Sequence, residues 1–415
     1  MNSQFAAQLE RIVGAGGVAY NEPMARHTTF KIGGAADYFV EPRRLSDIQQ
    51  LVRLCAEQAV ELRVLGQGSN VLVADEGVRG VVMHLGSQYA HFETCKEPNT
   101  VALTSTDEPS PAPVSESVAV PAGHAPCSNV STLAAETVHA NDSTYASELA
   151  HEAESTDIPV SESAAVIAGH APYSNDSAAL STPADAPAST AADASAPCAQ
   201  HCNSSDAVLI KAQAGVKNSQ LARFACDCGL TGFEFASGIP GVVGGSALMN
   251  AGAYGSEYSQ VVHSLVCVSP DGSLCTISGA DAQWGYRRSR MHDQHLIISD
   301  VVFRFLSGNK PEIQARMDDL AQRRKSKQPL NMPSAGSTFK RPEGYFAGKL
   351  IQDAHLQGER VGGAEVSRKH AGFIVNAGGA TARDVYQLIA HVQERVFETA
   401  GVHLEPEVRM WGFQH

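Results

Sequence analysis

The sequence predicts an α+β protein, and three observations carry that expectation. Helix-period and strand-period apolar patterns alternate along residues 1–91 and 207–415. Two glycine-rich loops interrupt them, at residues 65–73 and 236–255. One long stretch, residues 92–206, follows neither period. A chain of 415 residues, 43% of them hydrophobic, is long enough for two or three domains with a substantial core.

Residues 45–57 space their apolar side chains as a helix does. Residues 61–66 and 71–74 read as short strands around a glycine turn, and 81–85 as a further strand. Sheet pattern resumes at 207–212 and an amphipathic helix follows at 218–228. Residues 261–268 and 273–277 flank Asp271-Gly272, a hairpin signal. Residues 295–305 alternate as a strand, and 311–325 are helical, ending before Pro329. Residues 371–376 read as a strand, 381–399 as a helix and 402–411 as a last strand.

The stretch 92–206 is rich in Ala, Ser, Pro, Thr and acids. It buries too little apolar surface to offset chain entropy, so it is expected to be a disordered acidic insertion. It holds 16 Asp and Glu against one Lys, while the rest of the chain carries 30 Lys and Arg against 28 Asp and Glu. The net charge of −13 therefore belongs to the insertion, and the remainder offers no nucleic-acid surface. Residues 113–126 recur at 159–172, read as duplication within a tolerated loop. Strand pattern on both sides suggests that the segment interrupts a β-hairpin or two adjacent strands. Cys198, His201 and Cys202 form half of a metal-site spacing, with no second pair nearby, so no metal is expected. The nine cysteines form no disulfide framework. With no apolar run of membrane-spanning length and no signal-peptide pattern at its start, the chain is expected to be cytoplasmic.

The glycine loops point to a small anionic ligand. Glycine lets the backbone approach a ligand and turns its N–H groups into an anion-binding nest. Two such loops together suit a pyrophosphate clasped from both sides. The alternative is a set of tight turns. Gly66-Gln67-Gly68 lacks the third glycine and following helix of a dinucleotide fingerprint, so no separate NAD(P) domain is indicated.

The loop Pro333-Ser-Ala-Gly-Ser-Thr-Phe-Lys-Arg-Pro342 concentrates Ser337, Lys340 and a glycine in a polar segment of little use as core. It resembles the proton-donor loop of the UDP-N-acetylenolpyruvoylglucosamine reductase family. Thr28-Thr-Phe-Lys-Ile-Gly-Gly34 resembles that family's opening motif. The resemblance extends over residues 20–90 and 207–412, in its shorter-loop subtype.

The resemblance implies a FAD-binding domain of the vanillyl-alcohol-oxidase type in two subdomains, 1–91 and 207–308, and a C-terminal α+β substrate-binding domain at 309–415. It implies non-covalent FAD held by Gly66, Gly68, Ser69, Asn70, Ser237, Gly238, Pro240, Gly241, Gly244, Gly245, Asn250 and Gly252. NADPH would be the reductant and UDP-N-acetylglucosamine-enolpyruvate the substrate, in peptidoglycan precursor synthesis. Reducing an enolpyruvyl ether needs a hydride donor, a proton donor and groups that stabilise an enolate-like carboxylate. The resemblance assigns the proton to Ser337 and enol stabilisation to Arg287 and Glu407. Taken alone, Ser337 reads first as a turn residue and Arg287 as a surface ion pair. Glu405 lies two residues from Glu407 and, on a regular strand, would share its face, so spacing does not separate them. Tyr254, Lys327, Asn331 and Lys340 are carried over as substrate contacts. Arg341 stands where relatives often carry Asn. Two rival readings are an oxygen-using flavin oxidase of the same fold, told apart by peroxide production, and a non-catalytic binding protein on this fold.

Overall fold

A computed structural model describes residues 3–14, 16–95 and 207–413. Helix α1 (Ser3–Val13) precedes β1 (Val18–Pro23), β2 (Ala35–Val40), α2 (Leu45–Glu57), β3 (Leu62–Leu65), β4 (Val71–Val73) and β5 (Val78–His84). Four of these strands form one sheet in the order β1-β2-β5-β3, with β2, β5 and β3 parallel. Alternation sets its two faces. Val81 and Met83 of β5 pack with Ile48, Leu51, Val52 and Cys55 of α2, while Val78 and Val82 pack with Met24 and Phe39 on the other face. Both faces are buried, as a parallel sheet requires.

Strand β6 (Phe92–Cys95) pairs antiparallel with β7 (Ala207–Gln213), from Phe92 opposite Ala212 to Cys95 opposite Leu209. The expected insertion boundary at 92 is therefore corrected: Phe92–Cys95 form a strand because β7 offers them an edge and Phe92 packs against Phe224. The inference that the segment joins adjacent strands holds, with β6 rather than β5 as the leading one. The rest of the segment, its repeat and its Cys198–Cys202 cluster lie outside the described residues. Because β6 and β7 are antiparallel neighbours, a hairpin loop suffices to connect them. Replacing residues 97–205 by a short Gly/Asn turn is expected to leave the melting midpoint and bound flavin unchanged, measured by thermal scan and absorbance. Loss of either would show that the segment contributes to folding.

The chain continues through α3 (Asn218–Asp227), β8 (Leu230–Thr231), α4 (Val243–Leu248), β9 (Gly252–Ala253), β10 (Ser256–Glu257), β11 (Val262–Val268), β12 (Leu274–Ser278), α5 (Arg290–Asp293) and β13 (Ile297–Ser307). The second sheet runs β12-β11-β13-β7-β6, with β8 also on β13. Its core gathers Phe233, Tyr258, Phe303 and Phe305 with the buried face of α3. The β11–β12 hairpin turns at Asp271-Gly272 as expected, with Asp271 accepting from the Ser273 N–H at 2.9 Å.

The last part holds α6 (Lys310–Lys327), α7 (Ala347–Asp353), β14 (Arg360–Val361), β15 (Ala364–Val366), β16 (Ile374–Asn376), α8 (Ala382–Ala400) and β17 (Arg409–Trp411). Helix α8 shows why its residues fold so. Thr381 caps it, accepting from the Asp384 N–H at 3.0 Å, Asp384 reciprocates at the Thr381 N–H, and Gly401 ends it with φ of 65°. Val385, Leu388, Ile389, Val392 and Val396 form its buried stripe.

The expected strand 402–411 is corrected to residues 409–411, because Pro406 has no N–H to sustain a ladder. Strand β17 pairs in parallel with β4, so the C-terminal chain returns to the first part of the fold. The described residues all fall within one compact unit. Among them no helix is long and apolar enough to cross a membrane, and no cluster of His, Cys, Asp or Glu is suited to a metal.

Candidate active site

Three segments converge on one cavity of about 680 Å³, lined by Arg287, Ser337 and Glu407 together with Phe339, Arg341, Phe346, Lys349, Arg368 and His370. Arg287 sits at the tip of a tight turn. Gly285 and Arg288 exchange backbone hydrogen bonds at 3.0 and 3.2 Å, leaving Tyr286 and Arg287 at the corners. Arg287 adopts φ of 56°, a left-handed conformation that costs a non-glycine residue about 1 kcal/mol or more. Buried Ser289 anchors this turn through a 2.7 Å bond to the Leu248 carbonyl. The Arg287 side chain turns inward and its Nε donates to Glu407 Oε1 at 2.8 Å. Arg288 turns outward onto Asp293, so the two adjacent arginines have different surroundings.

Ser337 lies on a segment bonded on both sides. The Thr338 N–H donates to Gly372, the Glu407 N–H to Thr338 and the Lys340 N–H to Glu405, each at 2.8 Å. Ser337 and Phe339 face the cavity, and Thr338 between them is buried, accepting from the Ile374 N–H. No hydrogen bond of the Ser337 hydroxyl to its own turn appears among the described residues. Glu407 and Glu405 part company here. Glu407 is 13% exposed against Arg287, whereas Glu405 is 70% exposed and pairs with Lys340 outside.

The glycine loops meet each other and are tied by hydrogen bonds to the segments that carry Ser337 and Glu407. The Gly241 N–H donates to Gln67 Oε1 and the Ser69 hydroxyl to the Pro240 carbonyl, each at 3.0 Å. Gly68 is obligatory: it has φ of 62°, and a Cβ there would lie 2.0 Å from the His27 carbonyl oxygen. Thr29 ties this loop to the serine loop, its N–H on the Gly68 carbonyl and its hydroxyl 2.6 Å from the Ser334 carbonyl. Asn70 binds the Glu407 carbonyl through Nδ2, and Asn250 is buried between the Gly285 carbonyl and the Ser259 N–H. Both asparagines therefore use their side chains on the protein.

Several supporting residues carry no sequence signal. Asn218 is fully buried under the second glycine loop. It donates to the Ile239 carbonyl at 3.2 Å and Ser246 Oγ at 2.8 Å, and accepts from the Tyr258 hydroxyl at 2.5 Å. Asn218→Leu is expected to lower stability by about 2–6 kcal/mol, since two buried polar groups lose partners at about 1–3 kcal/mol each. Denaturant titration with flavin release as a second readout checks this. Arg324 packs along Gly238 and its side chain bonds Gln328, while Arg409 lies against Met249. Burial pulls both guanidinium groups below their ordinary value, and neither has a carboxylate partner among the described residues. Two partly buried cations and two interlocked glycine loops fit an anionic cofactor such as FAD. Helical position alone did not distinguish Arg324 from its exposed neighbours.

The expected substrate contacts lie elsewhere. Lys327 and Asn331 are exposed and do not line the cavity, and Lys340 is engaged with Glu405. Tyr254 lines a separate cavity with Arg304 and Arg316, its hydroxyl 3.4 Å from the Leu320 carbonyl. His370 also lines the cavity that holds Arg287. Burial lowers its pKa, and its Nδ1 accepts from the Gly372 N–H at 3.2 Å.

Comparison with known proteins places these features in a family. Residues 328–411 match the model of the UDP-N-acetylenolpyruvoylglucosamine reductase C-terminal domain, and residues 200–278 match that of a FAD binding domain. The chain is 34% identical over 412 residues to the UDP-N-acetylenolpyruvoylglucosamine reductase of Lachnoclostridium phytofermentans, covering 99% of this chain and 98% of the relative. It is 35% identical over 392 residues to that of Lactiplantibacillus plantarum, covering 94% and 93%. The crystal structure of UDP-N-acetylenolpyruvylglucosamine reductase from Thermus caldophilus shares the fold, with a TM-score of 0.57 at 24% identity over 95% of this chain and 98% of that one. The α+β architecture is thus that of a FAD-binding oxidoreductase, and the chain belongs to the UDP-N-acetylenolpyruvoylglucosamine reductase family.

Proposed function

We propose that this protein reduces UDP-N-acetylglucosamine-enolpyruvate to UDP-N-acetylmuramate with NADPH, in peptidoglycan precursor synthesis. The observation that carries the reading is the meeting of Arg287, Ser337 and Glu407 in one cavity. FAD, when bound, supplies the hydride that adds to one carbon of the enolpyruvyl double bond.

The chain's own residues handle the charge and the proton that this addition creates. Arg287 spends only Nε on Glu407, so its Nη edge has no hydrogen-bond partner among the described residues. That edge matches a carboxylate in bidentate geometry, and it stabilises the negative charge that builds on the substrate carboxylate. Glu407 fixes the guanidinium plane. Ser337 delivers its hydroxyl proton to the carbon next to the hydride acceptor, which completes saturation of the double bond. Arg324 and Arg409, with the loops at 66–70 and 237–245, hold the FAD diphosphate.

The test is NADPH consumption by the purified flavoprotein in the presence of the enolpyruvyl nucleotide, with mass analysis of the product. The expected product is heavier than the substrate by two hydrogens. Peroxide formation with no such product would instead identify an oxidase. Repeating the assay with NADH checks the cofactor preference.

A further inference from the structure

One residue joins the two loops on which the proposed chemistry depends. Thr29 donates its backbone N–H to the Gly68 carbonyl at 3.1 Å, on the first glycine loop, and its hydroxyl to the Ser334 carbonyl at 2.6 Å, on the serine loop. The Gly68 carbonyl also lies 3.3 Å from the hydroxyl, so the single hydroxyl proton belongs to the nearer Ser334 carbonyl. Thr29 is itself held in place on both sides. Thr28 is buried, and its hydroxyl closes the turn onto the Ile32 carbonyl at 2.8 Å. Phe30 and Ile32 are buried in one cluster with Ala335 and Phe339 of the serine loop, and the Phe30 carbonyl accepts from Asn376 Nδ2 at 3.2 Å.

The chain reaches Ser337 by two arms. The arm after it is fixed by Thr338, which bonds Gly372, Ile374 and Glu407. The arm before it is fixed at the Pro333 carbonyl, which accepts from the Asn376 N–H at 2.9 Å, and at the Ser334 carbonyl by Thr29. Gly336, at φ of 81°, then turns the chain into Ser337. Of these bonds, only that of Thr29 comes from the part of the chain that carries a glycine loop.

We propose that Thr29 is a positioning residue for the reaction: it sets the Ser337 hydroxyl at its working distance from the cofactor held on the first glycine loop. This deepens the proposed function and rests on that reading for the role of Ser337. The proton must reach the carbon next to the one that takes the hydride, so the spacing between acid and cofactor matters. A misplacement of about 1 Å can cost about a hundredfold in rate. A serine loop bonded only within its own part of the fold would take that spacing from packing alone. Two hydrogen bonds from one residue fix it directly.

The experiment compares wild type, Thr29→Val and Thr29→Ser as FAD-loaded full chains. Each is reduced by NADPH without oxygen and then reoxidised by the enolpyruvyl nucleotide, in light and in heavy water. Thr29→Val keeps the shape of the side chain and loses the hydroxyl. It is expected to slow reoxidation about 10–100-fold, with flavin reduction by NADPH and KM for the nucleotide within about twofold of wild type. Its solvent isotope effect should rise, because proton delivery becomes limiting. Thr29→Ser keeps the bond and should stay within about threefold of wild type, less than the loss of one hydrogen bond. Hydrogen exchange of the oxidised holoenzymes gives a readout independent of turnover. Amides of residues 334–337 should exchange faster in Thr29→Val, and those of 66–70 and 372–376 at the wild-type rate. Wild-type reoxidation in Thr29→Val, a defect shared by Thr29→Ser, or equal losses in both half-reactions would overturn the proposal. A wild type that the nucleotide fails to reoxidise, with residues 334–337 alone loosened in Thr29→Val, would overturn the proposed reaction and leave the Thr29 bridge standing.

Discussion

Ser337→Ala is expected to slow substrate reduction about 10²–10⁴-fold, the range that a positioned general acid contributes. Flavin content and reduction of the flavin by NADPH should stay near wild type. The prediction is sharp because the serine holds nothing else. Its hydroxyl has no bond to its own turn among the described residues, while the adjacent Thr338, through its side chain and backbone, holds the segment to Gly372, Ile374 and Glu407. Removing one oxygen from an exposed position creates no cavity and orphans no buried group. Ser337→Cys retains a transferable proton at the same place and should keep part of the activity. Full activity in Ser337→Ala would transfer the proton-donor role to a solvent molecule or another residue.

The second large effect falls on Arg287. Arg287→Ala should reduce kcat about 10²–10³-fold, as expected for removal of a donor aimed at developing negative charge. It also leaves Glu407, only 13% exposed, without its cation, so the local field turns against a carboxylate substrate. Arg287→Lys should recover little, because an ammonium cannot present two parallel donors. Arg288→Ala provides the control. Its side chain is exposed and bound to Asp293, so turnover should change less than about twofold. Equal losses in the two variants would mean that the turn, not the Arg287 fork, matters.

Much of this architecture was legible in the chain, for reasons that differ by element. Residues 45–57 and 381–399 were readable as helices because their buried stripes are complete, and a Thr381/Asp384 box marks one end of the second. The 271–272 hairpin was readable from its turn residues. Strand β6 was not, because four residues directly before the Ala/Ser/Pro-rich segment are too few to show a strand period and form a strand by pairing with β7. The strand expected at 402–411 failed at Pro406, which also removed the regular alternation that would have placed Glu405 beside Glu407. What separates those two glutamates is three-dimensional: Lys340 lies outside and Arg287 inside.

The site was legible wherever a short motif places a residue and illegible wherever residues act through packing. Arg287, Ser337 and Glu407 come from three motifs far apart in the chain, and the fold brings them to one cavity. Asn218, Arg324 and Arg409 lie in segments that read as ordinary helix or strand; Asn218 stands out only by its burial, and the two half-buried arginines only by having no carboxylate partner among the described residues. Tyr254, Lys327, Asn331 and Lys340 have suitable chemistry, but side-chain direction places none of them on the catalytic cavity.

The most direct test of the account follows flavin absorbance of the purified protein without oxygen. NADPH is added first and UDP-N-acetylglucosamine-enolpyruvate second. The account predicts bleaching with NADPH, rapid recovery only with the enolpyruvyl nucleotide, and no such recovery in Ser337→Ala. Bleaching that the nucleotide fails to reverse in the wild type would contradict the proposed reaction while leaving the FAD-binding fold in place.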